Sequence, residues 1–292
     1  MSELREADAV ESETEVGHGI GAESHAGVGD PTASMEKRVL GLAWPVIGEN
    51  FLETMLGIVD TWLVSSLGAV ALAGVGTAIQ FMFFIISAMS AISVGSAVLV
   101  AQSVGARDLF RAGNLARQSL IWSLIFSIPL GAIGFFNAHG LVSIFGMEAD
   151  VTRIGADYLR VTMGTVVVLV MLIIGGGALR GAGDSRTPML VTALANVINV
   201  VLAYLLIYGK FGFPALGAVG SAWATFISRL IALILLLMAL WQGRNQVSIQ
   251  SGDSWWPDWQ VARQLLGIGV PAAIEQMLMS TAFLTMTTVI SH

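Results

Sequence analysis

Residues 40–50 read LGLAWPVIGEN, and residues 266–276 read LGIGVPAAIEQ. The offset of 226 lays Pro45 over Pro271 and Glu49 over Glu275, and six positions of 25 are identical (Leu40, Gly41, Pro45, Glu49, Leu52, Thr61). Apolar helices resemble one another by chance. Proline and a carboxylic acid, however, are both costly inside a membrane helix, so their coincidence carries more weight than the identities. Each segment opens a long apolar run. There are seven such runs, near 40–64, 72–102, 116–137, 158–178, 189–208, 217–241 and 265–290. Each can cross ~30 Å of hydrocarbon as a helix rising ~1.5 Å per residue. The second is longer than needed, which predicts a tilt or a kink.

If the offset is a structural repeat, six spans make one unit and the seventh opens another. Both openings start on the same side, so the repeats are parallel, related by an axis along the membrane normal. The expected fold class is an all-α polytopic membrane protein. It has a six-helix N-lobe plus the first helix of a second lobe, a fragment of a protein of twelve helices. The expected organisation is a disordered acidic tail (1–36), an N-lobe (37–241), a cytoplasmic interlobe loop (242–264) and the first helix of the C-lobe (265–292).

Composition agrees. Of 292 residues, 55% are hydrophobic and only 12% charged, too few charges to cover a water-facing surface. There is no cysteine, which excludes disulfides and thiolate chemistry. The four histidines are scattered, which leaves a histidine zinc site without support. The net charge of −6 misleads, because residues 1–36 hold nine of the twenty acids and a single base, Arg5. That segment is too poor in large apolar residues to offset the entropy of ordering.

Basic residues set the orientation. Lys37, Arg38, Arg107, Arg111, Arg117, Arg180, Arg186, Arg244 and Arg263 flank one side, against Arg153, Arg160 and Lys210 on the other. The positive-inside rule then places the N-terminus in the cytoplasm. Trp255, Trp256 and Trp259 precede the seventh run, where an interfacial belt belongs. The runs Ser87–Ser96 and Gly175–Gly177 suit close helix approach, and Phe81, Phe83 and Phe84 read as lipid or packing contacts.

Four acids lie inside apolar runs: Glu49, Glu53, Asp60 and Glu275. A charge there costs several kcal/mol, so the default reading is a functional site facing protein or water. At 100° per residue, Glu53 lies about 40° and Asp60 about 20° from Glu49, so the three share one face of the first helix. Such groups can exchange a proton, or bind Na⁺ where oxygen ligands converge. Each could instead pair structurally. Arg229, the one deeply placed base, reads as a counter-ion. Pro45 permits a bend that could move the carboxylates, and Pro45 and Pro271 can equally be packing kinks.

These residues carry a family resemblance. WPVIGENFLETMLGIVDTWLVSSLG, LVAQSVGARD, ALRGAGDSRTPM, NVINVVLAYLLIYG and GFPALGAVGSAWAT occur in order over residues 36–292. Together they resemble the multidrug and toxic compound extrusion (MATE) transporters, in particular the DinF-like archaeal and bacterial branch. The resemblance implies two six-helix lobes around a substrate cleft and export of organic cations against a Na⁺ or H⁺ gradient. It also implies a cation site inside the N-lobe. By the same resemblance Asp60, Asn199 and Ser221 would hold the coupling ion, with Na⁺ one candidate, and Pro45 would be the bending proline. Many relatives carry an Asp four residues after the asparagine, where this chain has Ala203. Glu53 or Glu49 could compensate. Glu275 matches an acid of the other, NorM-like branch.

The expectation is therefore a non-enzymatic antiporter of the cell membrane exporting drugs or toxic compounds. It would need no cofactor beyond Na⁺ or H⁺, no nucleic acid partner, and would be monomeric when full length. The alternative is a flippase for lipid-linked oligosaccharides or polysaccharides, which needs a cationic cavity. Arg229 alone offers one, opposed by three acids. A retinal protein lacks its Schiff-base lysine, since 265–290 contain no Lys. ALRGAGDS lacks the ending of a phosphate loop and reads as a cytoplasmic turn.

Overall fold

The structure is a computed structural model and describes residues 31–243, 247–250 and 255–290. Residues 1–30 of the expected tail, and Arg244 among the bases expected on the cytoplasmic side, lie outside the described residues. The chain divides into two compact units, Met1–Gly41 and Leu42–His292. Of the first, only 31–41 are described, as helix. All other described residues belong to the second.

Among the described residues every regular element is helical: α1 (Pro31–Ser65), α2 (Ala69–Gly105), α3 (Leu109–Phe136), α4 (Ala138–Ser143), α5 (Ala149–Gly164), α6 (Val166–Gly181), α7 (Arg186–Tyr208), α8 (Ala218–Trp241) and α9 (Trp259–Ile290), with a 3₁₀ turn at Lys210–Gly212. The all-α expectation holds, and six of the seven runs each form one helix. The fourth differs. Expected at 158–178, it starts at Ala149 and is broken into α5 and α6, bent by 53°. The break falls at Gly164 and Thr165, where the weakest helix former short of proline meets a threonine whose hydroxyl bonds back to the Val161 carbonyl at 2.9 Å. Three valines follow, with little helical preference of their own.

Most of the other starts move outward, while α8 begins one residue later than expected, at Ala218. α1 takes in 31–36, with proline at its first position, and α9 begins six residues before its expected start. α2, α3, α7 and α8 are long and apolar enough to cross a membrane, and the bent pair adds a fifth candidate. α1 and α9 have the length but are not in that set. α1 carries Glu49, Glu53 and Asp60 within its apolar stretch. α1 and α9 continue past Pro45 and Pro271.

α2 is the hub, packed by α3, α5, α6 and α9. Glycines allow it. A Cβ on Gly177 or Gly181 of α6 would strike Ser93 or the Ala97 carbonyl of α2. A Cβ on Gly95 or Gly269 would strike Leu265 or Ala91 across the α2–α9 contact. The small-residue runs therefore do set close approach. α7 and α8 form an antiparallel hairpin, with Asn199 opposite Thr225 and Ser228, and Leu206 opposite Gly220. Large apolar residues on the outer faces stay exposed, among them Trp44, Phe83, Phe84 and Phe136. Lipid is the solvent such a surface requires.

The turns after α2 and α6 repeat one device. After α2, Arg107 takes φ 60° and the Asp108 carboxylate accepts from the Arg111 amide at 2.9 Å. After α6, Gly183 takes φ 86° and Asp184 accepts from the Thr187 amide at 2.9 Å and its hydroxyl at 2.6 Å. LVAQSVGARD and ALRGAGDS are thus helix-stop, helix-cap turns, and the phosphate-loop look of the second is a consequence of that geometry. The tryptophan segment docks on α3. Gln118 donates to the Trp256 carbonyl at 2.8 Å, Trp122 donates to the Asp258 carbonyl at 3.0 Å, and Arg117 lies 5.4 Å from the Trp255 ring centre.

Candidate functional site

α1 is tied to its neighbours by polar contacts at successive levels. Arg180 of α6 donates to Glu49 at 3.0 and 3.2 Å. Asn196 of α7 donates to the Leu52 carbonyl at 2.7 Å. Ser221 of α8 donates to Asp60 Oδ1 at 2.6 Å. Tyr208 of α7 donates to the Leu63 carbonyl at 3.3 Å, and its hydroxyl also meets that of Ser66 at 2.6 Å. A polar face on a membrane helix needs such partners, because lipid supplies none.

The centre of the site is the Asp60–Ser221 contact. Ser221 is fully buried, and buried Tyr158 of α5 lies beside it within the electrostatic reach of Asp60. Asn199 is buried on the neighbouring face. It donates through Nδ2 to Thr225 Oγ1 at 3.0 Å and Ser228 Oγ at 3.3 Å, which directs its Oδ1 away from those hydroxyls. Asp60, Ser221 and Asn199 are thus joined through one stripe of α8. Half-buried Arg229 continues that stripe and borders a cavity of about 10 Å³ with Thr162, Thr165 and Thr225, about the space one water needs.

The other acids are placed differently. Glu49 is engaged by Arg180, with side-chain exposures of 15% and 29%. Glu53 is exposed and lies in the field of Glu49, Arg229 and Arg180. Glu275 is exposed on α9, which packs on α2 and α3 and takes no part in these contacts. Ala203 is fully buried in the core with Leu63, Val64 and Ala222. One turn beyond Asn199 on α7, it leaves Asp60 the carboxylate of this cluster.

Sequence reasoning missed Tyr158, Thr225 and Ser228 and took Arg180 only as a topogenic charge. The spacing of Ser221, Thr225, Ser228 and Arg229, all on one side of a helix, was the available signal. Tyr158 had none, since one tyrosine at a membrane boundary reads as a belt residue.

A carboxylate and a hydroxyl meet directly at Asp60 and Ser221, while the Asn199 amide is held on Thr225 and Ser228 of the same helix. Among the described residues no three His, Cys, Asp or Glu side chains gather as a metal cluster. Removing one member of the Glu49–Arg180 pair strands the other in a poorly hydrated place. Arg180→Gln is expected to cost about 1–3 kcal/mol, read as a lower melting temperature in detergent. The swapped pair Glu49→Arg with Arg180→Glu should recover much of the loss, and no recovery would exclude the pair as a stabilising contact.

The family model described as MatE matches residues 45–205, more than half of the chain. The chain belongs to the MatE family. A probable multidrug resistance protein NorM of Thermotoga maritima is 32% identical over 251 residues, covering 86% of this chain and 53% of that protein. A solved MATE in the bent conformation matches at TM-score 0.76 and 28% identity, covering 85% of this chain and 55% of its own. A MATE in the straight conformation matches at 0.75 and 28%, covering 87% and 56%. This MatE chain spans about half the length of the curated relatives it matches. It is a multi-pass membrane protein of a transporter family rather than an enzyme.

Proposed function

We propose that the complete protein is a secondary antiporter of the cell membrane, with its N-terminus cytoplasmic, that exports drugs or toxic organic compounds in exchange for Na⁺ or H⁺. The ion engages Asp60, with Ser221 and Asn199 as the other oxygen donors. The observation that carries this reading is the 2.6 Å contact from Ser221 to Asp60, a carboxylate held between two helices of the bundle core. A carboxylate within a membrane helix is a functional group by default. An ion there can drive transport only by binding one arrangement of the helices better than the other. Two solved MATE structures, one bent and one straight, match this chain about equally, which is consistent with more than one such arrangement. Glu49 and Glu275 are secondary in this scheme. Glu49 anchors α1 to α6, and Glu275 stands apart on α9.

The test is efflux of ethidium from proteoliposomes holding the complete protein, with Na⁺ and pH gradients imposed separately. Acceleration by one gradient is expected and names the ion. Efflux indifferent to both gradients would sink the antiport reading.

A further inference from the structure

We infer that the crevice between the ends of α1 and α7 binds one anionic phospholipid, with an acyl chain in the crevice and the phosphate on Lys210. The inference concerns neither the coupling ion nor the direction of transport, so it is independent of the antiport reading.

The crevice holds about 410 Å³ and lies among Val59, Trp62 and Leu63 of α1 and Val201, Tyr204 and Leu205 of α7. Small-molecule sites span about 300–1,000 Å³, so this is room for a ligand rather than a packing gap. Only apolar surface lines it, so water would find no hydrogen-bond partner there and hydrocarbon fits. Trp62 is 70% exposed and Val201 54%, so the crevice opens outward. α9, the last described helix, packs on α2 and α3, whereas α7 packs on α8 and α6. The crevice therefore faces away from α9, toward lipid.

Beyond the crevice the chemistry changes in order. α1 and α7 run parallel, since Asn196 meets Leu52 and Tyr208 meets Leu63, so both end on this side. One turn past Tyr204, the Tyr208 hydroxyl meets that of Ser66 at 2.6 Å. Two residues further stands exposed Lys210. It is the single charged residue between Arg186 and Arg229, α7 has no acid, and α1 has none after Asp60. Hydrocarbon, then hydroxyl, then ammonium is the order of a phospholipid followed from its chain through its ester linkages to its phosphate. With no acid on either helix end to offset the ammonium, an anionic headgroup is favoured over a zwitterionic one, whose own cation would compete.

The turn after α7 holds this arrangement. Phe211 takes φ 56° and ψ 32°, a left-handed conformation rare for an aromatic residue, and borders the crevice while staying 91% exposed. The turn is nonetheless fixed. The Phe213 amide donates to the Lys210 carbonyl at 3.2 Å and the Leu216 amide to the Leu206 carbonyl at 2.9 Å, and a Cβ on Gly209 would strike Ala215. Such strain persists only where the surroundings over-determine it, and it clusters at ligand clamps. An apolar ring held at the edge of an apolar crevice suits a hydrocarbon chain.

The experiment follows Trp62 fluorescence in the complete protein, reconstituted in vesicles of phosphatidylcholine with increasing phosphatidylglycerol, one of the two brominated on its acyl chains. Bromine quenches indole on contact, and subtracting the Trp62→Phe variant isolates the signal. Brominated phosphatidylglycerol should quench Trp62 at about fivefold lower mole fraction than brominated phosphatidylcholine, the scale of one basic side chain on an anionic headgroup. Lys210→Gln should abolish this preference and Lys210→Arg should keep it. Val201→Phe fills the crevice and should abolish it as well. Both positions are exposed, so the variants should fold. Equal quenching by the two lipids in the wild type, or a preference that survives Lys210→Gln, would overturn the inference. An absence of quenching in the wild type would overturn it too, because another part of the complete protein then covers the crevice. Inorganic phosphate at constant ionic strength should change nothing; loss of the preference on adding it would show a phosphate site without a lipid. No transport is read, so failure here leaves the antiport reading standing, and the reverse.

Discussion

Asp60→Asn in the complete protein is expected to abolish gradient-driven efflux while leaving a folded, inserted protein. The two halves of this expectation have separate causes. Asparagine is nearly isosteric, and its side-chain oxygen can still accept from the Ser221 hydroxyl, which spans 2.6 Å in the native chain. The α1–α8 contact is therefore kept. What is lost is the charge, and a neutral amide can neither take up a proton nor balance Na⁺. Ala203, buried in the core, supplies no second carboxylate there. A drop of about 100-fold or more in the efflux rate is expected, the scale of removing a proton-transfer or ion-binding group. Melting temperature in detergent should change little. Wild-type efflux from Asp60→Asn vesicles would falsify the assignment.

Substituting glycine by alanine should change the sign of its effect from one position to another. Gly181→Ala puts a methyl group into the Ala97 carbonyl of α2, and Gly95→Ala puts one into Leu265 of α9. Backbone cannot rotate aside as a side chain can, so each change is expected to cost about 1–3 kcal/mol. Gly76→Ala and Gly57→Ala meet nothing within 4 Å. Both lie inside helices, where alanine is favoured over glycine by up to about 1 kcal/mol. They should be neutral or stabilising. Thermal unfolding in a single detergent, followed by tryptophan fluorescence, separates the two classes. A uniform response across all four would show that the α2–α6 and α2–α9 contacts are looser than the structure has them.

Much of the fold was legible in the sequence because lipid permits so few backbones. A run of about 20 apolar residues has to satisfy its own hydrogen bonds, and a helix is the solution. The seven runs therefore became helices. The fourth was misjudged at both ends. Its first half carries Asp157 and Arg160, paired at 3.2 Å on its surface, so hydropathy does not mark it as a span. The break at Gly164 depends on local backbone competition that an average over 18 residues hides. Of the site, Asp60, Ser221 and Asn199 were named through family resemblance, and the structure places them on one connected set of helices. Which acids are already engaged was not legible. Arg180 and Glu49 are 131 positions apart, and no periodicity links them.

By itself, the sequence determined the solvent, the helices and the single face of α1 that bears Glu49, Glu53 and Asp60. Those follow from transfer energies and from 3.6 residues per turn, both local properties of the chain. Only the tertiary structure decided what each of those acids meets. Glu49 meets Arg180 and Asp60 meets Ser221, because α6 and α8 happen to pass α1 at those heights. Crossing points between helices depend on how glycines and bulky side chains interlock along α2, a sum over distant residues that no single segment encodes.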